Sequence, residues 1–359
     1  MKKNITIKDV AKEAGVSIGT VDRVLHNRGR YSEITGEKVR DAVERLHYET
    51  SQIASALVNR KNRLKIGVIT VNDPNSDFIR DIERGIENAR SELSPFGVEI
   101  VVSPMEKADV ETQKDAIEVL LKQDIDGLIL LPFDSNTFGS CLSDHIPDNI
   151  PYATVINKTW SQDQLFHIGL DDYAIGALQC KLTSLYCPNA HVAVLAPNYE
   201  LESTQKRSAG FINKLTTDSS CLTFTQLCPI PGSTYEEISA NLRKKTLELL
   251  NEQPDIEAIY LTNGFFVPVA ETLQEHHSDV KLFCHEYTKA LADYMENGTI
   301  CVSIYQQTAL AWYLAIKNMY SYLTHGISPA SYIPADFRII IKETLPFLKA
   351  GTDNPFLMI

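Results

Sequence analysis

The sequence predicts an α/β protein in which a small all-helical head precedes two lobes, each built on a doubly wound parallel sheet. Three observations support this prediction. In the first fifty residues apolar side chains recur at helical spacing, whereas from residue 65 onward short apolar runs alternate with amphipathic stretches. The alternation restarts near residue 167, which indicates a second sheet of the same kind. The length of 359 residues suffices for a head and two lobes.

Three helices are predicted in the head. The first helix spans 7–14. Thr6 precedes it and Asp9 lies in its first turn, and the two have the spacing of a capping box. Gly15 suits a tight turn, because a positive φ costs glycine little, and Ser17 is a good N-cap for a second helix over 18–26. A third helix over 36–47 closes a small core. Two short helices joined by a glycine-containing turn are typical of a helix-turn-helix, although any small three-helix bundle can show the same pattern.

In a helix-turn-helix the first residues of the second helix face the base edges of the major groove. Arg23 has the reach for a bidentate contact to guanine. Asp22 would repel phosphate, but it can accept a hydrogen bond from cytosine N4 or pair with a basic group of the head. The head residues predicted to contact bases or phosphates are Thr6, Ser17, Ile18, Gly19, Thr20, Asp22, Arg23, Asn27, Arg28 and Arg30.

The segment 51–64 after the head is rich in small residues and too short to form a stable helix alone. The stretch 6–57 resembles the lac-repressor family of bacterial regulators: it carries DVA-x-x-AGVS-x-x-TV-x-RV, then EKV, then L-x-Y and an A-x-x-L hinge. The resemblance implies a hinge that folds only on DNA, with Ala54 and Leu57 in contact with it. Leu57 would be a wedge that kinks the duplex at the minor groove. Ordinary linker packing is the alternative for Leu57.

Two positions of the second helix depart from the family pattern. The family commonly has Ser at the position of Asp22 and a larger polar residue at the position of Gly19. The operator sequences of relatives should therefore not be transferred to this chain.

The charge of the chain is divided unequally. The formal net charge is −12, yet residues 1–64 hold 13 Lys and Arg against 8 Asp and Glu, a net of +5, which leaves −17 for the remainder. A basic head on an acidic body predicts a DNA-binding surface at one end only. The seven cysteines include no C-x-x-C pair, and no apolar leader precedes the head, so we expect reduced thiols in a cytoplasmic protein.

The two lobes are predicted from alternating strands and helices. From residue 66 the chain also resembles the two-lobed periplasmic sugar-binding proteins that the same family uses as sensors, which implies three crossovers, placed near Ile168, Tyr305 and Ser328. The predicted strands are 66–71, 98–102, 127–131, 152–156, 191–195, 222–227, 258–261, 280–284, 300–305 and 337–341. The predicted domains are a head (1–50), a hinge and linker (51–64) and a two-lobed region (65–359), with lobe one at about 65–168 and 306–328 and lobe two at about 169–305 and 329–359.

Polar residues follow many of these strands. Ligands of doubly wound sheets bind at the carboxyl ends of the strands, and carboxylates, amides and an arginine suit the hydroxyls of a sugar. By position, several match sugar-contacting sites of the family, although each is alternatively an ordinary loop residue. The predicted ligand-binding residues are Asp77, Phe78, Asn157, Lys158, Arg207, Asn263, Glu286 and Gln306.

Lys158 stands where ribose-type sensors of the family usually carry arginine. Lysine is a point charge rather than a rigid planar fork. Together with Arg207 it would suit an acidic or phosphorylated sugar.

These patterns predict a ligand-responsive DNA-binding transcriptional regulator, a repressor that binds a pseudo-palindromic operator as a homodimer. The effector is expected to be a carbohydrate, with no membrane partner. No G-x-G-x-x-G follows the first strand, and neither a P-loop nor a G-x-S-x-G motif occurs, so we expect no catalytic residue, no cofactor and no metal. A sugar carrier with a fused head and a DNA-binding protein without an effector are the remaining alternatives.

Overall fold

The computed structural model describes residues 7–25, 31–46, 63–71, 77–105, 110–132, 145–159, 163–217, 222–232 and 234–351. The head consists of α1 (Ile7–Ala14), α2 (Ile18–Leu25) and α3 (Glu33–Leu46). Their apolar faces form a small core in which the buried side chains are Val10, Ala11, Val21, Val24, Val39 and Ala42. A helix predicted near 138–142 lies outside the described residues.

Local signals fix the ends of the head helices. Gly15 has a φ of +67° in the turn between α1 and α2, as predicted. Ser17 caps α2, because its Oγ accepts the Thr20 amide at 3.1 Å. The predicted start of the third helix at residue 36 is wrong. Ser32 caps α3, its Oγ accepting the Thr35 amide at 3.2 Å, so the helix begins at residue 33.

Twelve strands lie within the described part of the chain, and all twelve join one of two sheets. The strands are β1 (Leu64–Val71), β2 (Val98–Met105), β3 (Gly127–Leu130), β4 (Tyr152–Val155), β5 (Phe166–Gly169), β6 (His191–Pro197), β7 (Thr223–Ile230), β8 (Ile256–Leu261), β9 (Lys281–His285), β10 (Ile300–Tyr305), β11 (Tyr332–Pro334) and β12 (Arg338–Ile340).

Helices connect these strands. They are α4 (Asp77–Leu93), α5 (Val110–Leu121), α6 (Asp172–Tyr186), α7 (Glu202–Thr217), α8 (Tyr235–Glu252), α9 (Phe266–Glu275), α10 (Lys289–Glu296), α11 (Thr308–His325) and α12 (Leu345–Gly351). Short 3-10 turns lie at Ser94–Phe96 and Lys342–Thr344.

The first sheet has the strand order β11-β5-β4-β3-β1-β2, and every pairing in it is parallel. Helices α4 and α11 cover one face, and α5 covers the other. The second sheet has the order β12-β10-β9-β8-β6-β7, with α8, α9 and α10 on one face and α6 and α7 on the other. This confirms the predicted α/β fold class with two doubly wound sheets. Only the edge strand β12 runs antiparallel to its neighbour, β10.

The chain passes between the two sheets after Gly169, after Tyr305 and after Pro334. The third crossover predicted near Ser328 is therefore too early. Tyr332–Pro334 pair with His167–Gly169 in the first sheet, so the chain leaves lobe one only after Pro334. Lobe one therefore extends to Pro334, and the rest of the domain division stays a prediction.

Helix α11 follows a strand of lobe two but packs on lobe one. Trp312 is fully buried there, and Gly85 of α4 lets the two helices touch backbone to backbone. A Cβ at Gly85 would lie 2.3 Å from the carbonyl oxygen of Ala309. The second crossover is thus anchored in the core of lobe one. Among the described helices, none has the length and apolar character needed to cross a membrane.

Candidate functional site

The first candidate surface is the start of α2 in the head. Ile18 is 44% exposed there. Ser17 and Gly19 beside it are also exposed. The Ser17 and Thr20 hydroxyls are 2.9 Å apart and orient each other. A methyl-bearing side chain flanked by hydroxyls suits a base edge in the major groove.

Arg23 lies one turn farther along α2 and is exposed. Its Nε donates to the Gly19 carbonyl at 3.0 Å, and its Nη2 donates to the Thr20 hydroxyl at 3.5 Å. The guanidinium is therefore folded onto its own helix and must leave the Gly19 carbonyl to reach a base. Both contacts are exposed, so little free energy opposes that movement.

Several head and hinge predictions have no structural test. Asp22 lies in α2, but its side chain is outside what the structure describes. The predicted contacts that fall entirely outside the described residues are Thr6, Asn27, Arg28, Arg30, Ala54 and Leu57.

The second candidate surface lies where the carboxyl ends of the two sheets meet. All three crossovers leave carboxyl strand ends, so these ends of both sheets are joined there. A direct contact also links the lobes: the Tyr305 hydroxyl at the end of β10 donates to Asp81 Oδ2 of α4 at 2.7 Å. Arg84 forms an ion pair with Asp81 at 2.9 Å. The space between the lobes beside this contact is the candidate cleft.

Arg207 on α7 is the central charged residue on the lobe-two side. It is buried, its Nε donates to Asp172 Oδ1 at 2.7 Å, and its Nη1 donates to the Thr262 carbonyl at 3.1 Å. Burial raises the pKa of Asp172, while the positive charge of Arg207 opposes that rise. The negative charge of Asp172 in turn keeps the pKa of Arg207 high. The positive charge of Arg207 is thus already matched within the protein.

Two glycines explain why Arg207 and Asp172 meet. A Cβ on Gly176 of α6 would lie 2.0 Å from the Arg207 carbonyl oxygen, and a Cβ on Gly210 of α7 would lie 2.0 Å from that of Tyr173. Helices α6 and α7 therefore approach backbone to backbone at both positions. This explains the R-x-x-G-F motif at 207–211: the arginine forms the ion pair and the glycine permits the approach.

Phe211, the phenylalanine of that motif, belongs to the hydrophobic core of lobe two. Phe211 is fully buried and stacks on Tyr260, with ring centroids 4.6 Å apart. The Tyr260 hydroxyl lies 2.8 Å from His285 Nε2. Burial, followed by the charge of Arg207, holds the pKa of His285 well below its usual range, so this histidine is neutral and structural.

Glu286 and Gln306, two of the predicted ligand-binding residues, are hydrogen-bonded to each other. Gln306 Nε2 donates to Glu286 Oε1 at 2.5 Å, and the Glu286 amide donates to the Ile304 carbonyl at 3.0 Å. Glu286 has a φ of +70°, an uncommon conformation for a residue with a side chain. Burial raises its pKa to about 7, against the lowering effect of Arg207. Glu286 is thus a carboxyl group poised to accept or to donate a hydrogen bond near neutral pH.

Asn263 follows β8 beside Thr262, and its Oδ1 accepts the Phe265 amide at 3.1 Å. Its backbone carbonyl accepts the His285 amide at 3.2 Å, which places it next to Glu286. The structure therefore collects the four predicted lobe-two and crossover residues, Arg207, Asn263, Glu286 and Gln306, at neighbouring strand ends.

The predicted lobe-one residues are more dispersed. Asp77 at the start of α4 is ion-paired with Arg80, and Phe78 is half-buried against the lobe-one core. Asn157 follows β4, and its Nδ2 donates to the Pro132 carbonyl at 2.9 Å. Lys158 is exposed. Its charge adds to burial in lowering the pKa of His167 to about 4.

Several buried polar atoms of the described residues have no hydrogen-bond partner, and some of them follow carboxyl strand ends. Among these are Asn157 Oδ1 after β4, Thr262 Oγ1 after β8 and Gln307 Nε2 after β10. Buried polar atoms are nearly always hydrogen-bonded in folded proteins. The oxygens of Asn157 and Thr262 can accept a hydrogen bond, and the amide nitrogen of Gln307 can donate one. The hydroxyl groups of a small ligand could form these hydrogen bonds.

Some residues of this site escaped the sequence-based prediction. Asp171 and Asp172 are adjacent acidic residues at the start of α6. The structure separates them, because Asp171 is the exposed cap, its Oδ1 accepting the Ala174 amide at 3.0 Å, whereas Asp172 pairs with Arg207. A buried arginine requires a partner, which is the one signal that points to Asp172. Asp81 and Tyr305, which bridge the lobes, had no such signal. The described residues hold no cluster of three or more side chains suited to a metal.

Two family models match the chain. A periplasmic binding protein domain matches residues 66–327, and the bacterial regulatory proteins of the lacI family match residues 6–51. Among curated relatives, the ribose operon repressor of Halalkalibacterium halodurans is 29% identical over 45% of this chain and 50% of its own length. The lactose operon repressor of Escherichia coli is 28% identical over 70% of this chain and 65% of its own length. This chain thus aligns with about half to two thirds of these relatives.

Solved structures share the fold of the two lobes. GanP, a glucose-galactose binding protein from Geobacillus stearothermophilus, has a TM-score of 0.70 at 19% identity and covers 79% of this chain and 99% of its own. A putative LacI transcriptional regulator from Bacteroides fragilis has a TM-score of 0.68 at 16% identity and covers 80% of this chain and 98% of its own. At these identities the likeness concerns the fold alone.

Proposed function

The chain belongs to the lacI family of bacterial regulatory proteins, with a periplasmic binding protein domain behind its head, and from this premise we propose that it is a ligand-controlled repressor of transcription. The head binds a specific DNA sequence, and a small sugar or sugar derivative in the cleft between the lobes sets its affinity. Members of this family act as regulators rather than as enzymes, and we propose the same for this chain, in the cytoplasm.

The head supports the DNA-binding half of the proposal. Ser17, Ile18, Gly19 and Arg23 share an exposed surface at the start of α2, which is where a helix-turn-helix contacts base edges. One head covers one half-site, so a two-fold homodimer on a pseudo-palindromic operator follows from the symmetry of such sites.

The proposal that a ligand binds between the lobes rests on the unpaired buried atoms of Asn157, Thr262 and Gln307. Gln307 follows the same strand as Gln306, and Thr262 follows β8, which neighbours the β9 strand that leads to Glu286. Asn157 follows β4 in the other lobe. A ligand with several hydroxyls supplies donors and acceptors to all of them, which an apolar ligand cannot do. A polyhydroxylated ligand is therefore the chemistry that fits best.

The charges around the cleft favour an uncharged sugar. Arg207 is matched by Asp172 and Arg84 by Asp81, so neither arginine contributes a spare positive charge. Glu286 adds a carboxyl group that would repel an anionic ligand when it is ionised. An acidic or phosphorylated sugar, the alternative suggested by Lys158, would depend on that exposed lysine alone.

Regulation is proposed to act through the contact between the lobes. The ligand draws the lobes together about the crossovers, where Tyr305 of β10 already binds Asp81 of α4. Movement of lobe one then reaches the hinge at 51–64 and changes how the heads are held. Coupling of about 1–3 kcal/mol between the two sites suffices for roughly 5- to 150-fold in DNA affinity.

A thermal-shift screen tests this proposal, with neutral sugars, sugar acids, sugar phosphates and nucleosides as the panel. A ligand at about 100 times its dissociation constant stabilises the protein by roughly 2.7 kcal/mol. The matched variant is Gln306→Ala, because Arg207→Ala would also break the buried ion pair and lower stability for a separate reason. We expect a neutral sugar to stabilise the wild type and not the variant.

Other outcomes choose among the alternatives. Stabilisation by sugar acids alone would select the charged-ligand hypothesis. A sugar hit combined with the absence of any sequence-specific DNA binding would favour a carrier with a fused head. No hit from any class would leave a DNA-binding regulator without a small effector.

A further inference from the structure

Two cysteines of lobe two are in side-chain contact, because the side chains of Cys187 and Cys301 share a hydrogen bond. Cys187 ends α6, where its amide donates to the Thr183 carbonyl at 2.8 Å. Cys301 is the second residue of β10. Both side chains are half-buried and pack against the same apolar cluster, which holds Phe211 and Phe283. Neither cysteine is in a disulfide.

The two thiols are chemically different. The hydrogen bond from the Cys301 side chain lowers the pKa of Cys187, and the positive charge of Lys281 lowers it further, against the opposing effects of burial and of Glu257. The neighbouring Cys187 and burial raise the pKa of Cys301. Cys187 is thus the sulfur that is more readily ionised, and the thiolate is the nucleophilic form of cysteine.

Cys187 is also accessible to a small oxidant. It lines a surface groove of about 650 Å³ together with Pro188, Glu257 and Lys281. The other described cysteines, Cys180, Cys228 and Cys284, are buried. Access and ionisation therefore coincide at Cys187.

We propose that Cys187 and Cys301 form a reversible disulfide when the protein meets a hydroperoxide. The Cys187 thiolate attacks one peroxide oxygen, the O–O bond breaks, and the departing hydroxide or alkoxide takes up one proton and leaves as water or alcohol. Cys187 is then a sulfenic acid. The Cys301 sulfur attacks the Cys187 sulfur, the S–O bond breaks, and the departing hydroxide takes the proton of the Cys301 thiol and leaves as water. In total, two thiols and one hydroperoxide become one disulfide and two waters, or one water and one alcohol for an alkyl hydroperoxide. A dithiol reverses the reaction.

The bridge would tie the end of α6 to the start of β10. The opposite end of α6 carries Asp172, and the opposite end of β10 leads into the crossover at Gln306. The two elements that carry the ligand site would thus be joined at their far ends, so oxidation is placed to act on the cleft.

The experiment treats the full-length reduced protein with one equivalent of hydrogen peroxide, followed by alkylation under denaturing conditions and peptide mapping of all seven cysteines. Before alkylation, we expect the mass of the intact protein to fall by that of two hydrogen atoms. After alkylation and digestion, we expect a peptide that links Cys187 to Cys301. Dithiothreitol should restore the original mass. A linkage involving any other cysteine, or no linkage at all, would overturn the proposal.

Three variants assign the roles. Cys301→Ser should retain a sulfenic acid on Cys187 that dimedone traps. Cys187→Ser should react at least about tenfold more slowly, since the other described thiols are buried or have a raised pKa. Cys228→Ser, in the same lobe, should behave as the wild type. Equal rates in Cys187→Ser and Cys228→Ser would overturn the assignment. If a variant does not fold, the map of the wild type decides the proposal.

Discussion

The substitution Asp172→Ala tests the most demanding feature of the cleft, the buried pair with Arg207. The side chains of Arg207 and Asp172 are 7% and 11% exposed. Removing the carboxylate leaves the guanidinium buried with the Thr262 carbonyl as its remaining hydrogen-bond acceptor. Breaking a buried pair from one side costs about 3–5 kcal/mol. We expect a cost near the lower end of this range, because the negative charge of Glu286 also stabilises the charged form of Arg207.

Asp171→Ala is the matched control at the adjacent position. It removes the exposed cap of α6, whose hydrogen bond to the Ala174 amide is 3.0 Å long, for a cost of about 1 kcal/mol. A double variant, Asp172→Leu with Arg207→Met, removes both charges and should recover most of the lost stability.

The assay is urea-induced unfolding followed by far-UV circular dichroism, with hydrogen exchange of lobe-two peptides to localise the loss. Exchange is needed because two lobes need not unfold in one step. If Asp172→Ala costs no more than Asp171→Ala, the pair does not stabilise lobe two. The account of the R-x-x-G-F motif would then be wrong.

Four further predictions concern the cleft and the head. The pKa of Glu286 is about 7 in the folded protein and 4.5 ordinarily, so the stability from its buried protonated form is present below pH 4.5. That stability, at most about 3 kcal/mol, is lost as the pH rises to 7, and Glu286→Gln should flatten this part of the urea-unfolding profile. Gly210→Ala forces a Cβ to within 2.0 Å of the Tyr173 carbonyl oxygen. It should cost about 1–3 kcal/mol in the same assay, and no loss would mean that the helices separate freely. Arg23→Ala should cost about 1–3 kcal/mol of DNA binding and relax sequence preference at one position, whereas an equal loss on all sequences would mean a phosphate contact. Leu57→Ala should weaken specific DNA binding and reduce DNA bending while sparing unspecific binding, and unchanged bending would exclude a wedge.

The head illustrates what local sequence determines. The turn at Gly15 and the cap at Ser17 depend on neighbours within four residues, and both were predictable. The start of α3 is also set locally, by the N-cap Ser32. It was predicted wrongly because the prediction relied on the apolar periodicity of the helix, which does not reveal a cap. Caps are thus a better guide to helix ends than periodicity.

The cleft illustrates what local sequence leaves open. Arg207 and Asp172 are 35 residues apart in the chain and meet because two glycines let α6 and α7 touch. Strand ends could be predicted from apolar runs, so Glu286 and Gln306 could each be placed after a strand. The hydrogen bond between them is seen only in the structure. The pairing of charges and the lobe contact between Tyr305 and Asp81 follow only from the packing of whole elements.

The third crossover shows a further limit. The segment before β11 has no periodic apolar pattern, and β11 itself is three residues long and half-exposed. Its place beside β5 is set by backbone hydrogen bonds, among them that of the His167 amide to the Ser331 carbonyl at 2.9 Å. Such a short edge strand carries almost no hydrophobic signal, so the sequence placed the boundary too early.

We propose that a ligand between the lobes controls how tightly the heads bind DNA, and the affinity of the full-length protein for its selected DNA measures this coupling. A duplex is first enriched from a random-sequence library, and its dissociation constant is measured by fluorescence anisotropy at fixed salt, with and without the sugar found in the thermal screen. We expect an enriched pseudo-palindrome, a change of roughly 5- to 150-fold in the dissociation constant on adding the sugar, and loss of that change in Gln306→Ala. Specific DNA binding that is identical with and without a sugar known to stabilise the protein would contradict it.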